Sequence, residues 1–320
     1  MITINKELFF KLQDKFKNVP FNQTEEWLDS HYAFSNVIYF VDNNDQPEIC
    51  CWGVVFERKF IGLHLIIEGI TIKSNDPTIL KCFFKDIIEL GYAIIELSDI
   101  SWYNSNFEIG IRQAGFIRPL GLSLCPMTMV VDLQKPFSFH RNWRRNVKKA
   151  NEKEITFKIV DNPTISESQI FIDLFCQLKD RKKLNFSLDS KALLNLFQKK
   201  RFMIFFAQEK NGVFLAGRVI YLADNAYDVY AANSDKGLEC GAIYFLQEKI
   251  LYYLKSLNMN LFDYGRISPS ADHMNNIYVS KSYSGGRPLQ YNGQWQYSKS
   301  KKIVFLYSFR KFYLSNQRLF

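Results

Sequence analysis

Two stretches of this chain repeat one order of elements, and that repeat limits the folds open to it. Residues 83–99, FFKDIIELGYAIIELSD, read as a helix, a short turn and a strand ending in an acid. Residues 245–265, FLQEKILYYLKSLNMNLFDYG, read the same way. Each is followed by a helix, by one or two glycines, and then by Arg-Pro-Leu, at residues 118–120 and 287–289. The same tripeptide at the same place in the element order argues for duplication. The expectation is two copies of one fold facing each other across a cleft, residues 1–135 and 136–320, with Pro136 at the boundary.

Hydrophobic periodicity places helices and strands in alternation, but many strands are adjacent in sequence. Residues 201–210, 213–222 and 226–233 are one such run. That order predicts an α/β protein with a mixed, largely antiparallel sheet rather than a doubly wound parallel one. A length of 320 residues suits two domains, and 47% hydrophobic with 16% aromatic residues suffices for two cores. The first twenty residues carry scattered charges and no apolar h-region, and no run approaches the ~18–20 apolar residues of a membrane span. A cytoplasmic protein is expected. Its six cysteines (Cys50, Cys51, Cys82, Cys125, Cys176 and Cys240) form no CxxC pair and have no histidine at zinc spacing, so free thiols and no metal are expected. The net charge of +9 implies a polyanionic partner or an anionic surface.

Four segments carry candidate chemistry. PFNQTEEW, residues 20–27, is a turn into a capped helix. In SFHRNWRRNVKKANE, residues 138–152, Arg141, Arg144, Arg145, Lys148 and Lys149 share one helix face opposite Trp143, Val147 and Ala150. That stripe is either a solvated face or a phosphate contact for a nucleotide, tRNA or lipid head group. In residues 226–246 a strand containing Tyr230 runs into a loop with Gly237 and Gly241, then into a helix. Such a loop is an ordinary turn or a cradle for a pyrophosphate. The last is FDYGRISPSADHMNNIYVSKSYSGGRPLQYNGQW, residues 262–295, where a strand ends in Asp263 and a helix ends in Lys281 before Gly285–Gly286. Asp263 either caps the turn or accepts a proton, and Lys281 either complements a helix dipole or acts on a substrate.

This last segment resembles the C-terminal signature of the FemABX family: an aspartate–glycine strand end, a proline, and a helix carrying an aromatic, a lysine and a glycine pair. Asp263-Tyr264-Gly265-Arg266 is similar to the DFGR form of FemAB-related proteins of exopolysaccharide systems. PFNQTEEW resembles the family's Q-s-x-x-W segment, and the basic helix resembles its R-x-x-x-R-x-x-x-x-K-A opening of the second domain. FIDLFCQLKDRKKLNF resembles the helix whose arginine maps to Arg181. After Trp27 the chain reads Leu28-Asp29-Ser30-His31, where peptidoglycan-bridge members carry a lysine, and it has no long charged heptad run.

The resemblance implies tandem acetyltransferase-like (GNAT) domains and acyl or aminoacyl transfer to an amine of a peptidoglycan or exopolysaccharide precursor. It implies no tightly bound cofactor, the donor being a co-substrate: acyl-CoA, acyl carrier protein or aminoacyl-tRNA. Within it, Lys281 and Asp263 are the catalytic candidates. Arg181, Arg266, Arg141, Arg144, Arg145 and Lys148 are the candidates for phosphates of a cell-envelope precursor, a nucleotide sugar or tRNA. Tyr230, Gly237 and Gly241 are the candidates for the donor loop. Two other readings stand beside this one: a CoA-dependent N-acetyltransferase acting on an amino-sugar nucleotide, and a non-catalytic protein of nucleic acid or membrane surfaces. The second draws on KKIVFLYSFRKFYL, residues 301–314, as a helix for peripheral contact with the inner membrane leaflet.

Overall fold

A computed structural model describes residues 1–59, 61–119, 126–183, 189–267 and 276–300, together with Lys302 and Phe309. In chain order the elements are β1 (Ile2–Ile4), α1 (Lys6–Gln13), α2 (Glu25–His31), β2 (Val37–Val41), β3 (Ile49–Arg58), β4 (Gly62–Ile67), β5 (Thr71–Ile72), α3 (Pro77–Glu89), β6 (Ile94–Trp102) and α4 (Ser105–Gln113). They continue with β7 (Met127–Asp132), α5 (Arg141–Glu152), β8 (Thr156–Val160), α6 (Ile165–Arg181), α7 (Ser190–Phe197), β9 (Phe202–Gln208), β10 (Phe214–Leu222) and β11 (Ala226–Asn233). The last are α8 (Asp235–Glu239), α9 (Ala242–Ser256), β12 (Leu261–Asp263), α10 (Asn276–Ser282) and β13 (Arg287–Tyr297). Most of 301–314, along with residues 268–275 and Cys125, lies outside the described residues. No described helix is long and apolar enough to cross a membrane.

The chain forms two compact units, Met1–Met127 with Leu289–Phe320, and Thr128–Pro288. In the first, the strand order is β1-β2-β3-β4-β6-β13, with β5 beside β3. In the second it is β7-β12-β11-β10-β9-β8. Each sheet contains one parallel pair, β4 with β6 and β11 with β12, and is otherwise antiparallel. The mixed, mainly antiparallel α/β architecture is as the sequence predicts.

The duplication is visible as β3-β4-β6-β13 against β10-β11-β12-β7. The chain order of the final strand differs between the two copies. β7 follows the helices of the first unit but pairs with β12, while β13 follows those of the second but pairs with β6. The boundary therefore falls at residue 127 and again at 288, not at Pro136, and residues 289–320 group with the first unit. The repeated Arg-Pro-Leu stands just before β7 and at the start of β13.

The cores follow the amphipathic patterns. In the first unit Leu80, Phe83, Phe84 and Ile87 of α3 pack with Phe107 and Ile111 of α4 against Leu65, Ile95 and Leu97. In the second, Phe245, Leu246, Ile250 and Leu254 of α9 pack against Phe205, Ile220 and Phe262. Arg118 lies 3.6 Å over the Trp295 ring and donates to the Gln294 carbonyl at 3.2 Å, fastening β13 in place.

Candidate functional site

The second unit opens where β11 and β12 part. Their parallel pairing lasts for Ala226↔Phe262 and Tyr227↔Asp263, after which β12 ends and β11 continues to Asn233. A strand edge that outlasts its neighbour presents backbone donors and acceptors with no ladder partner on that side. The parting is fixed by Gly265, whose φ of +70° suits glycine, and whose absent Cβ would stand 2.7 Å from the Asp228 carbonyl oxygen.

Asp263 holds that turn. Its carboxylate accepts from the Gly265 N–H at 2.8 Å and from the Thr128 hydroxyl, and the residue is buried. This is the turn-capping geometry of an aspartate at a strand end. Lys281 closes the turn from the other side: Nζ donates to the carbonyl oxygens of Tyr264 at 2.7 Å, Gly265 at 3.0 Å and Arg266 at 3.3 Å. An ammonium has three protons to donate, so the turn absorbs the whole donor capacity of Lys281. Burial lowers its pKa to about 8, with Asp228 and Asp263 raising it and Arg218 lowering it.

Beneath this turn lies a pair that the sequence reading did not single out. Arg218 on β10 donates to Asp228 Oδ2 on β11 at 2.8 Å, their side chains 15% and 2% exposed. Asp228 Oδ1 is buried and among the described residues has no hydrogen-bond partner. Burial raises the Asp228 pKa while Arg218 and Lys281 oppose that rise. The signal was present: each strand carries a single charged residue in an otherwise mostly apolar run, LAGRVIYL and AYDVYAAN.

The remaining candidates scatter around the opening. Tyr230 is half-buried on β11 and meets Phe175 of α6 edge-on at 5.9 Å. Arg181, at the end of α6, donates to Asp235 at 2.6 Å and to the Asn233 side chain, tying α6 to the end of β11. Arg266 is exposed beyond the turn, where partial burial lowers its pKa and Tyr227 raises it.

Gly237 and Gly241 are packing glycines. A Cβ on Gly237 would stand 2.2 Å from the Leu215 carbonyl oxygen, and one on Gly241, at φ +78°, 2.4 Å from that of Asn146. Their own N–H groups are engaged, by the Ser234 hydroxyl and the Leu238 carbonyl. Among the described residues the N–H groups of Ala242 and Ile243, in the first turn of α9, have no backbone acceptor.

Helix α5 buries Trp143, Val147 and Ala150 and exposes Arg141, Arg144, Arg145, Lys148 and Lys149, as its pattern predicts. Lys148 approaches Glu152 at 3.9 Å, and among the described residues the other four have no carboxylate partner. His140 caps the helix and stacks on Tyr283 at 4.3 Å, linking its start to the end of α10. Among the described residues no cluster of histidine, cysteine, aspartate or glutamate is arranged to hold a metal.

No family model matches the sequence, and no curated protein matches it. Solved structures match its fold along nearly the whole chain. A crystal structure of FemX aligns at a TM-score of 0.76 with 13% identity, covering 96% of this chain and 100% of that one. L-PGS from Bacillus licheniformis aligns at 0.63 with 13% identity, covering 99% and 98%. A tandem GNAT protein from the clavulanic acid biosynthesis pathway aligns at 0.53 with 8% identity, covering 92% and 93%. Identities this low speak for the fold alone. The protein has the FemX-like, tandem GNAT fold.

Proposed function

We propose that the chain transfers an acyl or aminoacyl group to an amine of a cell-envelope precursor, and that the reaction takes place in the second unit. The observation that carries this reading is the parting of β11 from β12 after Tyr227↔Asp263, with β11 running on to Asn233 and, through α8, into α9. A thioester or ester carbonyl laid along that edge meets fixed N–H groups, which is how a preorganised backbone stabilises a developing oxyanion. The likeness in fold to FemX, L-PGS and a tandem GNAT protein supports the reading.

The chemistry needs no covalent intermediate. The neutral amine nitrogen attacks the acyl carbon, the new C–N bond forms, and the bond to the leaving group breaks. That group leaves as the thiolate of a pantetheine or the ribose oxygen of a tRNA, and it takes up the proton that the attacking nitrogen loses as it becomes the amide. Positioning supplies much of the acceleration. Asp263 and Lys281 serve it by shaping the 263–266 turn, and the exposed cations of α5 supply charge for a phosphorylated donor or acceptor.

The test is a donor screen. Labelled acyl-CoA, acyl carrier protein and aminoacyl-tRNA are each incubated with the protein and an amine-bearing UDP-linked muropeptide or amino sugar, and amide products are read by mass. One donor class is expected to yield a new amide that Lys281→Ala largely abolishes. An absence of product from every donor, alongside intact binding of a polyanion, transfers the protein to the non-catalytic reading.

A further inference from the structure

The loop that leads into α5 sets aromatic rings among its charges. Residues 135–152, KPFSFHRNWRRNVKKANE, hold six lysines and arginines against one carboxylate, Glu152. Phe137 and Phe139 are half-buried, while Lys135, Ser138, His140 and Arg141 between and around them are exposed. Both rings rest against Tyr252 of α9, Phe137 edge-on at 5.1 Å and Phe139 at 6.4 Å, and Tyr252 is itself 53% exposed. Phe139 stacks on Trp143 at 5.3 Å, which ties the loop to the first turn of α5. Helix α5 runs antiparallel to α9: Phe139 meets Tyr252, Trp143 donates to Glu248, and the Asn146 backbone lies against Gly241.

Cations frame the three rings. Lys255 lies 5.1 Å over Phe137 and donates to the Lys135 carbonyl at 2.7 Å. Lys249 is exposed one turn before Tyr252 on α9, where residues three apart are neighbours on the helix surface. The exposed stripe of α5 begins at Arg141, two residues after Phe139. The carboxylates close by are already engaged. Asp132 holds Lys135 at 3.1 Å, and Glu248 is half-buried and accepts from the Trp143 indole at 3.1 Å.

A small aromatic group ringed by lysines and arginines matches the boundary of an anionic bilayer. Aromatic side chains settle at head-group level, and long cationic side chains lay their stems on apolar surface while their charges reach the phosphates. A single-stranded nucleic acid would instead stack its bases on open ring faces. Here Phe139 gives a face to Trp143 and Phe137 gives one to Lys255. We propose that the second unit docks on an anionic phospholipid bilayer through this surface, with Phe137, Phe139 and Tyr252 in the head-group layer and the α5 cations on lipid phosphates. The proposal does not rest on acyl transfer, because it concerns binding to a surface and not turnover.

The test uses the full-length protein and two kinds of vesicle, phosphatidylcholine alone and roughly two parts phosphatidylcholine to one of phosphatidylglycerol, with binding read by cosedimentation. Binding to the anionic vesicles alone is expected, and it should weaken as salt is raised. Each cation near an anionic surface contributes a factor of about five, so Arg144→Glu with Lys148→Glu is expected to weaken binding on the order of thirtyfold or more. Tyr252→Trp reads the aromatic part. On anionic vesicles of brominated lipid its fluorescence is expected to be quenched well beyond that of the wild type. A thermal melt that matches the wild type establishes that each variant is folded. Equal binding to neutral vesicles, undiminished binding by a folded double reversal, or a folded Tyr252→Trp quenched no more than the wild type would each overturn the proposal. So would tRNA that binds more tightly than the anionic vesicles and displaces the protein from them, which would make the surface one for nucleic acid. Amide product in the donor screen without vesicle binding removes this proposal alone, and vesicle binding without amide product from any donor removes the acyl-transfer reading alone.

Discussion

The ammonium of Lys281 sits 2.7 Å from the carbonyl oxygen of Tyr264 and spends its remaining protons on the next two carbonyls. It is a positioning residue for the turn at which β11 and β12 part. Lys281→Met is expected to lower turnover by about 10²-fold, the scale on which a misplacement near 1 Å acts.

The pH dependence has a defined sign. The folded pKa of about 8 lies below the unfolded value near 10.4, so the unfolded chain holds more protons between those limits. Through this group, stability rises with pH across that window. Turnover is expected to fall over it, because the neutral amine donates two hydrogen bonds instead of three and turns a lone pair toward carbonyl oxygens. The kcat/KM profile of Lys281→Met should be low and flat above pH 8. A wild-type rate that climbs above pH 8, and loses that climb in Lys281→Met, would make Lys281 a base instead.

Arg218 and Asp228 form a buried pair, so its two members are not separately dispensable. Asp228→Ala strands the guanidinium and is expected to cost about 3–5 kcal/mol in denaturant unfolding. Replacing both by apolar residues of similar volume, Arg218→Met with Asp228→Leu, should recover most of that stability. Turnover in the double variant should stay low, since Asp228 also attracts the Lys281 ammonium.

Gly241 and Gly212 share a positive φ but differ in what surrounds them. At Gly212, φ +87°, an added Cβ meets nothing within 4 Å, so Gly212→Ala is expected to cost only the left-handed backbone term of about 1–2 kcal/mol. At Gly241 the same change adds a collision with the Asn146 backbone, and a further ~1–3 kcal/mol is expected. Paired thermal melts read the difference. Equal costs would mean that α5 can retreat from the start of α9 without penalty.

Local pattern foretold the local elements. The stripe at Arg141, Arg144, Arg145, Lys148 and Lys149 predicted which face of α5 stays exposed, and Trp143, Val147 and Ala150 predicted the buried one. The strand boundaries around β9, β10 and β11 also follow from alternation and turn residues. Strand exchange was not legible, because the pairing of β7 with β12 and of β13 with β6 spans more than a hundred residues and leaves only the repeated Arg-Pro-Leu as a trace. The Arg218–Asp228 pair was hidden for a related reason: two residues ten apart become neighbours only once the β10–β11 register is known, and a bulge between Val219 and Ile220 alters it. The share of Lys281 taken up by backbone carbonyls depends on the rotamer and is absent from any spacing.

The exposed face of α5 is expected to bind a polyanion. Four of its five cations have no carboxylate partner among the described residues, and Lys148 has only Glu152 at 3.9 Å, so an arriving phosphate need break no strong ion pair. Each phosphate neutralised on a polymeric nucleic acid contributes roughly 0.7–0.9 to the slope of log affinity against log salt. Arg144→Glu with Lys148→Glu should remove most of the binding and reduce the slope by about two contacts' worth. Folding should be unaffected, because Trp143, Val147 and Ala150 carry the packing. A steep slope with tRNA and a shallow one with CoA or a nucleotide sugar would identify the donor as a polymer. Identical affinities for tRNA, CoA and UDP-linked precursors before and after the double reversal would leave the stripe as a solvated face, and the anion would then be held elsewhere in the second unit.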